Sequence, residues 1–420
     1  MCTKNQYNSA MRIEHLKPEK NEPRLERFAR TVEMGFNGGE ISDVELSRTV
    51  GLMVDNNADV TEVFTDGSTN PDPKMTAAPE GTFVTFEGTV NLGTTPIRAA
   101  EITAVSVRPT SKRQGILRAM MTDNLDRVAD EGYRVALLTA SSAALYGRFG
   151  FKNVVEVSTV KIHPYPRFAL RDGSTENVHM VSMEWLFPQM PTIFEAFHKI
   201  TRGSVSRFEG FYGLAKYLDD AGKPDPKYRG AIHCDEQGAI DGYVVYSIAD
   251  ETKLAIKDFI TLTPVAEIAL WAFLGSIEWL DEIRWDGAPK EWLLPEALVD
   301  RRVIRVESQS DALWARVLDA HILENRPYGT DGVFRLSIDD PMGYASGDFQ
   351  LEVCDGIGTV TEAKGGVKVS VQALAALAFG STAPSTLAAV GLMDSDADLS
   401  LQKLDALFSP QGLARFDSWF

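Results

Sequence analysis

Near the start of the chain, apolar positions recur at helical spacing in two groups: Leu25, Phe28, Val32 and Met34, then Val44, Leu46, Val50 and Met53. Residues three and four apart share one helix face, so two amphipathic helices are predicted between Pro23 and Met53. Residues 1–20 read as polar and loosely ordered. Residues 65–82, rich in Gly, Pro, Ser, Thr and Asn, read as an exposed excursion. The period then changes. Thr82–Leu92 alternates and breaks at Asn91-Leu92-Gly93-Thr94, a hairpin signal, and Ile97–Val107 supplies the next strand. Gln114–Ala129 returns to helical spacing through Ile116, Leu117, Met120, Met121, Leu125 and Val128, and Glu131-Gly132 ends it. Tyr133–Thr139 is a short apolar strand. This β–loop–α–β order predicts a crossover between parallel or splayed neighbours.

A second unit of the same kind follows. Ile256–Leu262 is strand-like and Val265–Leu280 helical, and Ile260-Thr261-Leu262-Thr263-Pro264 echoes Val105-Ser106-Val107-Arg108-Pro109. The loops differ: Lys112, Arg113 and Gly115 in the first, Val265, Ala266 and Glu267 in the second. An acidic, glycine-free loop does not hold a pyrophosphate, so the second unit reads as structural or as a pocket wall. Asp286–Asp300, with Pro289 and Pro295, reads as a boundary. Beyond it come strands at Val303–Val306, Gly332–Ile338, Asp348–Val353, Thr359–Thr361 and Val367–Val371, with a turn at Asp340-Pro341-Met342-Gly343. Helices at Gln372–Phe379, Ser385–Ala389 and Asp398–Leu407 complete an α+β segment. A length of 420 residues suits two to three domains.

Charge narrows the partners. With 59 acidic and 42 basic residues the formal net charge is −17, which disfavours nucleic acid and anionic membranes and favours a cationic substrate such as a polyamine or amino sugar. Cys2, Cys234 and Cys354 are too dispersed for a disulfide framework or a zinc site, which suits a reducing, cytoplasmic setting, and the six histidines show no metal-ligand spacing. No metal is expected. The N-terminus lacks a signal-peptide core, and no run of about 18 apolar residues predicts a membrane span.

Three features carry chemistry. Arg108–Leu117 is a basic strand-to-helix corner in an acidic protein. Helix N-terminal N–H groups, Lys112, Arg113 and the flexible Gly115 suit an anion; the alternative is a solvated basic turn. Tyr146, in Leu145-Tyr146-Gly147-Arg148-Phe149-Gly150-Phe151, offers a phenol that can protonate a leaving thiolate; the alternative is a packed ring. The chain ends apolar, Ala414-Arg415-Phe416-Asp417-Ser418-Trp419-Phe420. That predicts a packed terminus and an enclosed α-carboxylate, which must be paired, protonated or chemically useful. The alternative is a hydrophobic plug of Trp419 and Phe420.

The strand through Phe151 resembles the GCN5-related N-acetyltransferase (GNAT) superfamily, with its basic-x-x-Gly-x-Gly/Ala loop and a Tyr before a Gly-Phe pair. Leu117 stands where a small residue is usual. Lys112 to Met121, Ala140-Ser141 and Leu145 to Phe151, together with Trp271–Trp285, Asp311-Ala312-Leu313-Trp314-Ala315-Arg316 and the terminal Phe420, are similar to the enhanced intracellular survival (Eis) aminoglycoside acetyltransferases. The resemblance implies an α+β fold. Residues 1–160 would form a GNAT domain binding acetyl-CoA, 161–297 a degenerate GNAT-like domain, and 298–420 a sterol-carrier-like domain. It implies acetyl transfer from acetyl-CoA to a primary amine of a cationic acceptor such as an aminoglycoside. Val105 and Val107 would offer backbone groups to the pantetheine. Lys112, Arg113, Gln114, Gly115 and Ile116 would hold the pyrophosphate, and Ser141 would touch the CoA arm. Tyr146 would be the general acid and the Phe420 carboxylate the general base. A homohexamer is implied as well. In place of the acidic residue that often precedes the terminal Phe, this chain has Trp419. The rival expectation is a non-catalytic CoA- or lipid-binding protein on the same fold.

Overall fold

The computed structural model describes residues 11–20, 22–66, 70–207, 217–219, 222–395, 400–409 and 412–419. Cys2, Phe420 and the first residues of the helix expected from Asp398 lie outside the described residues.

Two helices open the fold where the spacing places them. α1 (Pro23–Gly35) starts with Pro in its first turn and Glu22 accepting from the Arg24 N–H. α2 (Asp43–Asp55) carries a Ser42/Glu45 capping box. Two strands beside them escape the pattern. β1 (Met11–Leu16) pairs antiparallel with β2 (Asp59–Thr65), so residues 11–16 are a strand rather than loosely ordered. A short helix, α3 (Pro73–Ala77), sits in the expected excursion. β3 (Gly81–Asn91) and β4 (Pro96–Val107) form the predicted hairpin. α4 (Ile116–Asp130) then crosses over to β5 (Val135–Leu138).

Neighbouring strand residues face opposite sides of the sheet, and the packing follows that rule. Val84 and Phe86 join Leu25, Phe28 and Met53 of α1 and α2. Phe83, Ala100 and Ile102 join Ile116, Met120 and Leu125 of α4 on the other side.

The large sheet has twelve strands in the order β1-β2-β3-β4-β5-β12-β6-β11-β10-β9-β8-β7. Its second half comprises β7 (Val178–Val181), β8 (Tyr228–Cys234), β9 (Ile240–Ala249), β10 (Lys253–Thr261) and β11 (Glu282–Pro289), with the helix Pro264–Ser276 between β10 and β11. The two halves are joined by exchanged strands. β6 (Lys152–Ile162) follows the first half in sequence but pairs with β11, whereas β12 (Ile304–Val317) follows the second half and pairs with β5. β6 and β12 also pair with each other at the centre. The expected strand Val303–Val306 is therefore the start of a central strand, not part of the C-terminal sheet. Its polar run Glu307-Ser308-Gln309-Ser310 and its register shifts hide the alternation.

The third domain has a four-stranded sheet, β15-β14-β13-β16, built from β13 (Gly332–Asp339), β14 (Gly347–Cys354), β15 (Ile357–Glu362) and β16 (Val367–Ser370). Its helix Val371–Phe379 packs against β6 and β12 and buries every residue except Gln372.

Candidate active site

β4 and β5 run parallel only at Ala100↔Ala136, Glu101↔Leu137 and Ile102↔Leu138. β4 continues to Val107, so residues 103–107 have no β5 partner. Ala104 sits at φ +52° and the register with β3 slips between Thr82 and Val84, a bulge that re-aims the strand. The gap between the diverging strands is a cleft with two connected recesses. The larger, about 740 Å³, runs over Val105, Val107, Lys112, Arg113, Gly115 and Ile116. The smaller, about 280 Å³, reaches Ile102, Leu138, Asp311 and Trp419. Phe36, Val105, Ser141 and Tyr146 line both.

α4 enters this cleft N-terminus first. Gly115 precedes it at φ +88°, a conformation that costs an L side chain about 1–2 kcal/mol. No side chain caps its first turn, whereas Ser42, Thr263 and Ser370 cap other helices. The first N–H committed to the helix ladder is that of Ala119, to the Gly115 carbonyl. Among the described residues the earlier N–H groups meet no side-chain cap, and they stand beside the exposed Lys112 and Arg113, an arrangement that suits an anion. Tyr146 closes the short helix α5 (Ala143–Tyr146) where the two recesses meet. It is 4% exposed and meets Phe151 edge-on at 6.1 Å. Burial pushes its phenol above the ordinary range, against a Ser141 side-chain hydrogen bond that pulls it down. The phenol therefore stays protonated at neutral pH.

The C-terminal tail reaches the same place. Phe416 and Ser418 are buried, and the Ser418 hydroxyl donates to the Val205 carbonyl at 2.8 Å. On its way the tail occupies a second cleft. β10 and β11 pair in parallel from Lys253↔Glu282 to Ile256↔Trp285 and then part, with a register shift between Ile256 and Asp258. Arg415 donates to the Phe259 carbonyl at 2.7 Å and forks onto Asp417 at 2.8 and 3.1 Å. Arg207 forks onto Asp258 at 2.8 and 3.0 Å and donates to the Asp417 carbonyl at 2.5 Å. The remaining space, about 460 Å³, is lined by Tyr228, Trp285, Phe416 and Trp419, among others. Trp419 thus borders both clefts and is 40% exposed, which departs from the plug expectation.

Comparison with known proteins fits this geometry. Models of the acetyltransferase (GNAT) domain match residues 80–154 and 203–322, and a sterol carrier protein domain matches 320–413. An N-acetyltransferase of Streptomyces avermitilis is 31% identical over 341 residues, covering 76% of this chain and 81% of that protein. The chain belongs to the Eis-like GNAT acetyltransferases. The N-acetyltransferase Eis of Mycobacterium tuberculosis is 28% identical over 330 residues, 76% of this chain and 79% of Eis. The crystal structure of Eis1 from Mycobacterium abscessus superposes with a TM-score of 0.81 at 23% identity, covering 97% of this chain and all of that one. The expected fold class, two GNAT domains and a sterol-carrier-like domain, is therefore the one found.

In this GNAT frame, Val105, Val107, Lys112, Arg113, Gly115, Ile116, Ser141 and Tyr146 lie along one cleft. Gln114 is exposed and does not line it. Phe420 lies outside the described residues; its neighbour Trp419 borders the recess that holds Tyr146. The structure adds Phe36, Arg118 and Asp311 to the lining. Asp311 accepts the Trp314 indole N–H at 2.6 Å. It comes from the exchanged strand β12, so no local spacing in the sequence connects it with Tyr146. Among the described residues no helix is long and apolar enough to cross a membrane.

Proposed function

We propose that this acetyltransferase moves an acetyl group from acetyl-CoA to a primary amine of a cationic acceptor, an aminoglycoside being the type example. The observation that carries the reading is the meeting at Tyr146 of two recesses. One is headed by an uncapped, cation-flanked helix N-terminus. The other is bordered by Asp311 and the end of the tail. The fit to a diphosphate rests on the unpartnered first turn of α4, with Lys112, Arg113, Gly115 and Ile116 around it. Bound acetyl-CoA would supply the activated thioester. Val105 and Val107 offer the unpaired edge of β4 to its pantetheine arm, and Ser141 stands beside that path while bonding Tyr146.

The chain's own groups then manage protons. An amine arrives as ammonium and must lose a proton before attack. Asp311 offers a carboxylate to the incoming cation. The Phe420 carboxylate is the proposed base. A free α-carboxyl has a pKa near 3.3–3.7, so it needs the desolvation that Phe416 and Trp419 can provide. Tyr146 gives its proton to the departing thiolate. We carry the homohexamer over as part of the proposal.

Tyr146→Phe, and separately a short extension beyond Phe420, should each lower kcat by about 10²–10⁴-fold with an unchanged melting temperature. Thiol release from acetyl-CoA across a panel of amino sugars and lysine peptides measures this. Wild-type turnover in both variants would remove the assignment.

A further inference from the structure

The helix Val371–Phe379 of the sterol-carrier-like domain is apolar and buried along its length, except at Gln372. The amide nitrogen of that residue leaves its own domain. It donates to the Gly147 carbonyl at 3.0 Å and to the Phe151 carbonyl at 3.4 Å. These two carbonyls bracket the turn that follows Tyr146. The backbone there tightens through Gly147–Phe149, reverses at Gly150 with φ +84°, and returns so that the Phe151 N–H donates to the Tyr146 carbonyl at 3.4 Å.

The same turn rests on a rigid floor. A Cβ added at Gly150 would come within 2.8 Å of Arg316 Nε and 2.9 Å of Val371 Cγ1. Arg316 is fixed in turn by a two-pronged bond to Asp340 at 2.7 and 2.8 Å, with both side chains fully buried. The Gly147 carbonyl also accepts the Gly150 N–H at 3.1 Å, whereas the carbonyl of the buried Phe151 would face no donor from this otherwise apolar helix without Gln372, and a buried polar group left unmet is costly.

We propose that Gln372 is a positioning residue for acetyl transfer: by tying both ends of the 147–151 turn to the third domain, it fixes the direction in which Tyr146 presents its phenol. The proposal rests on the assignment of Tyr146 as proton donor. It gives the sterol-carrier-like domain a role in the chemistry through a donor that never touches substrate. A displacement of about 1 Å at a reacting group can cost about a hundredfold in rate, so a single tether of this kind is worth a measurable part of kcat.

The test is a double-mutant cycle in the full chain. Gln372→Leu should lower kcat roughly tenfold, a partial loss of alignment, while the acetyl-CoA KM changes little. Gln372→Lys, which keeps a donor on a stem of similar reach, should recover most of that loss. In the Tyr146→Phe background Gln372→Leu should have no further effect, because residues acting as a unit are not additive. A purely structural role would instead multiply the two losses. If Tyr146→Phe alone keeps full kcat, the proton-donor assignment fails. If Tyr146→Phe is impaired but Gln372→Leu turns over like wild type, or the two losses multiply, the positioning proposal is wrong. Should Gln372→Leu fold poorly, amide exchange in the unmutated chain decides: Gly150 and Phe151 should exchange slowly, and exchange at the rate of exposed loops overturns the proposal.

Discussion

The cleft between β4 and β5 and the cleft between β10 and β11 share one backbone plan. In each, a parallel pair of strands parts after a short register, a bulge bends the earlier strand, and a crossover helix points its N-terminus at the gap. The difference lies in the first turn of that helix. Gly115 leaves the N–H groups of α4 uncapped beside Lys112 and Arg113. In the second copy Thr263 caps the Ala266 N–H at 3.1 Å and Pro264 has none to offer. Glu267, buried, accepts from the Leu293 N–H at 2.7 Å. A few side chains therefore separate a first turn suited to an anion from one that is capped and acidic, and the second gap takes in the protein's own tail. One cleft carries the proposed acetyl-CoA site, and the other holds the tail segment that brings Trp419 beside it.

The sharpest way to break this contrast is to open the second cleft. Asp258 is buried, and its forked bond with Arg207 is the side-chain anchor beside the tail. Asp258→Ala leaves a buried guanidinium without its counter-ion, which costs about 3–5 kcal/mol. Denaturant titration should show that loss, and kcat should fall because the tail is released. The acetyl-CoA KM should stay near wild type. A variant as stable and active as the parent would show that the second cleft does not clamp the tail.

Next in size is Glu101, which the Ser206 hydroxyl joins to the segment whose Val205 carbonyl accepts from Ser418 of the tail. It is fully buried on β4. Ser206 donates to one of its oxygens at 3.1 Å, and the other has no partner among the described residues. Burial pushes its carboxyl up to about 8, with the Ser206 bond opposing. The folded chain thus keeps a proton that the unfolded chain releases above about pH 4.5. The group's contribution to stability is full below that value, falls as pH rises toward 8, and is level beyond. Glu101→Gln should abolish this slope and raise stability at pH 8 by an amount of order 2–4 kcal/mol. Parallel stability–pH curves for the two proteins would contradict this.

How much of this contrast could be read from the sequence depended on distance along the chain. The Lys112–Gly115 corner, α4 and the Tyr146 turn are contiguous, and local periodicity with one glycine located them. The absence of a basic, glycine-bearing corner from the second unit was equally local, in Val265-Ala266-Glu267. The clamp was not legible, because Arg207, Asp258 and the Arg415–Asp417 pair lie far apart in sequence and meet only through the fold. β2 escaped because Glu62, fully buried against Arg24, breaks the apolar alternation. β12 escaped because strand exchange is a long-range choice that no window detects, and Asp311, noted only within a resembling segment, was not assigned to the site for the same reason. Gln372 read as the polar start of an apolar helix, and its partners lie more than two hundred residues earlier.

The smallest effect gives the finest comparison, since it sets matched cations in the two clefts against each other. Arg113 lines the first and Lys257 the second. If the first cleft alone binds the diphosphate, Arg113→Ala should raise the acetyl-CoA KM about tenfold, or about 1.4 kcal/mol, the scale of one exposed charge-assisted contact. That penalty should shrink as salt is added, because both charges face solvent. Lys257→Ala should leave KM unchanged at every salt concentration, for its neighbours are the carboxylates and aromatic rings of a cleft partly occupied by the tail. Equal responses from the two substitutions would mean that net charge near the substrate, not the geometry of one helix N-terminus, governs affinity, and the distinction between the two copies would collapse to electrostatics.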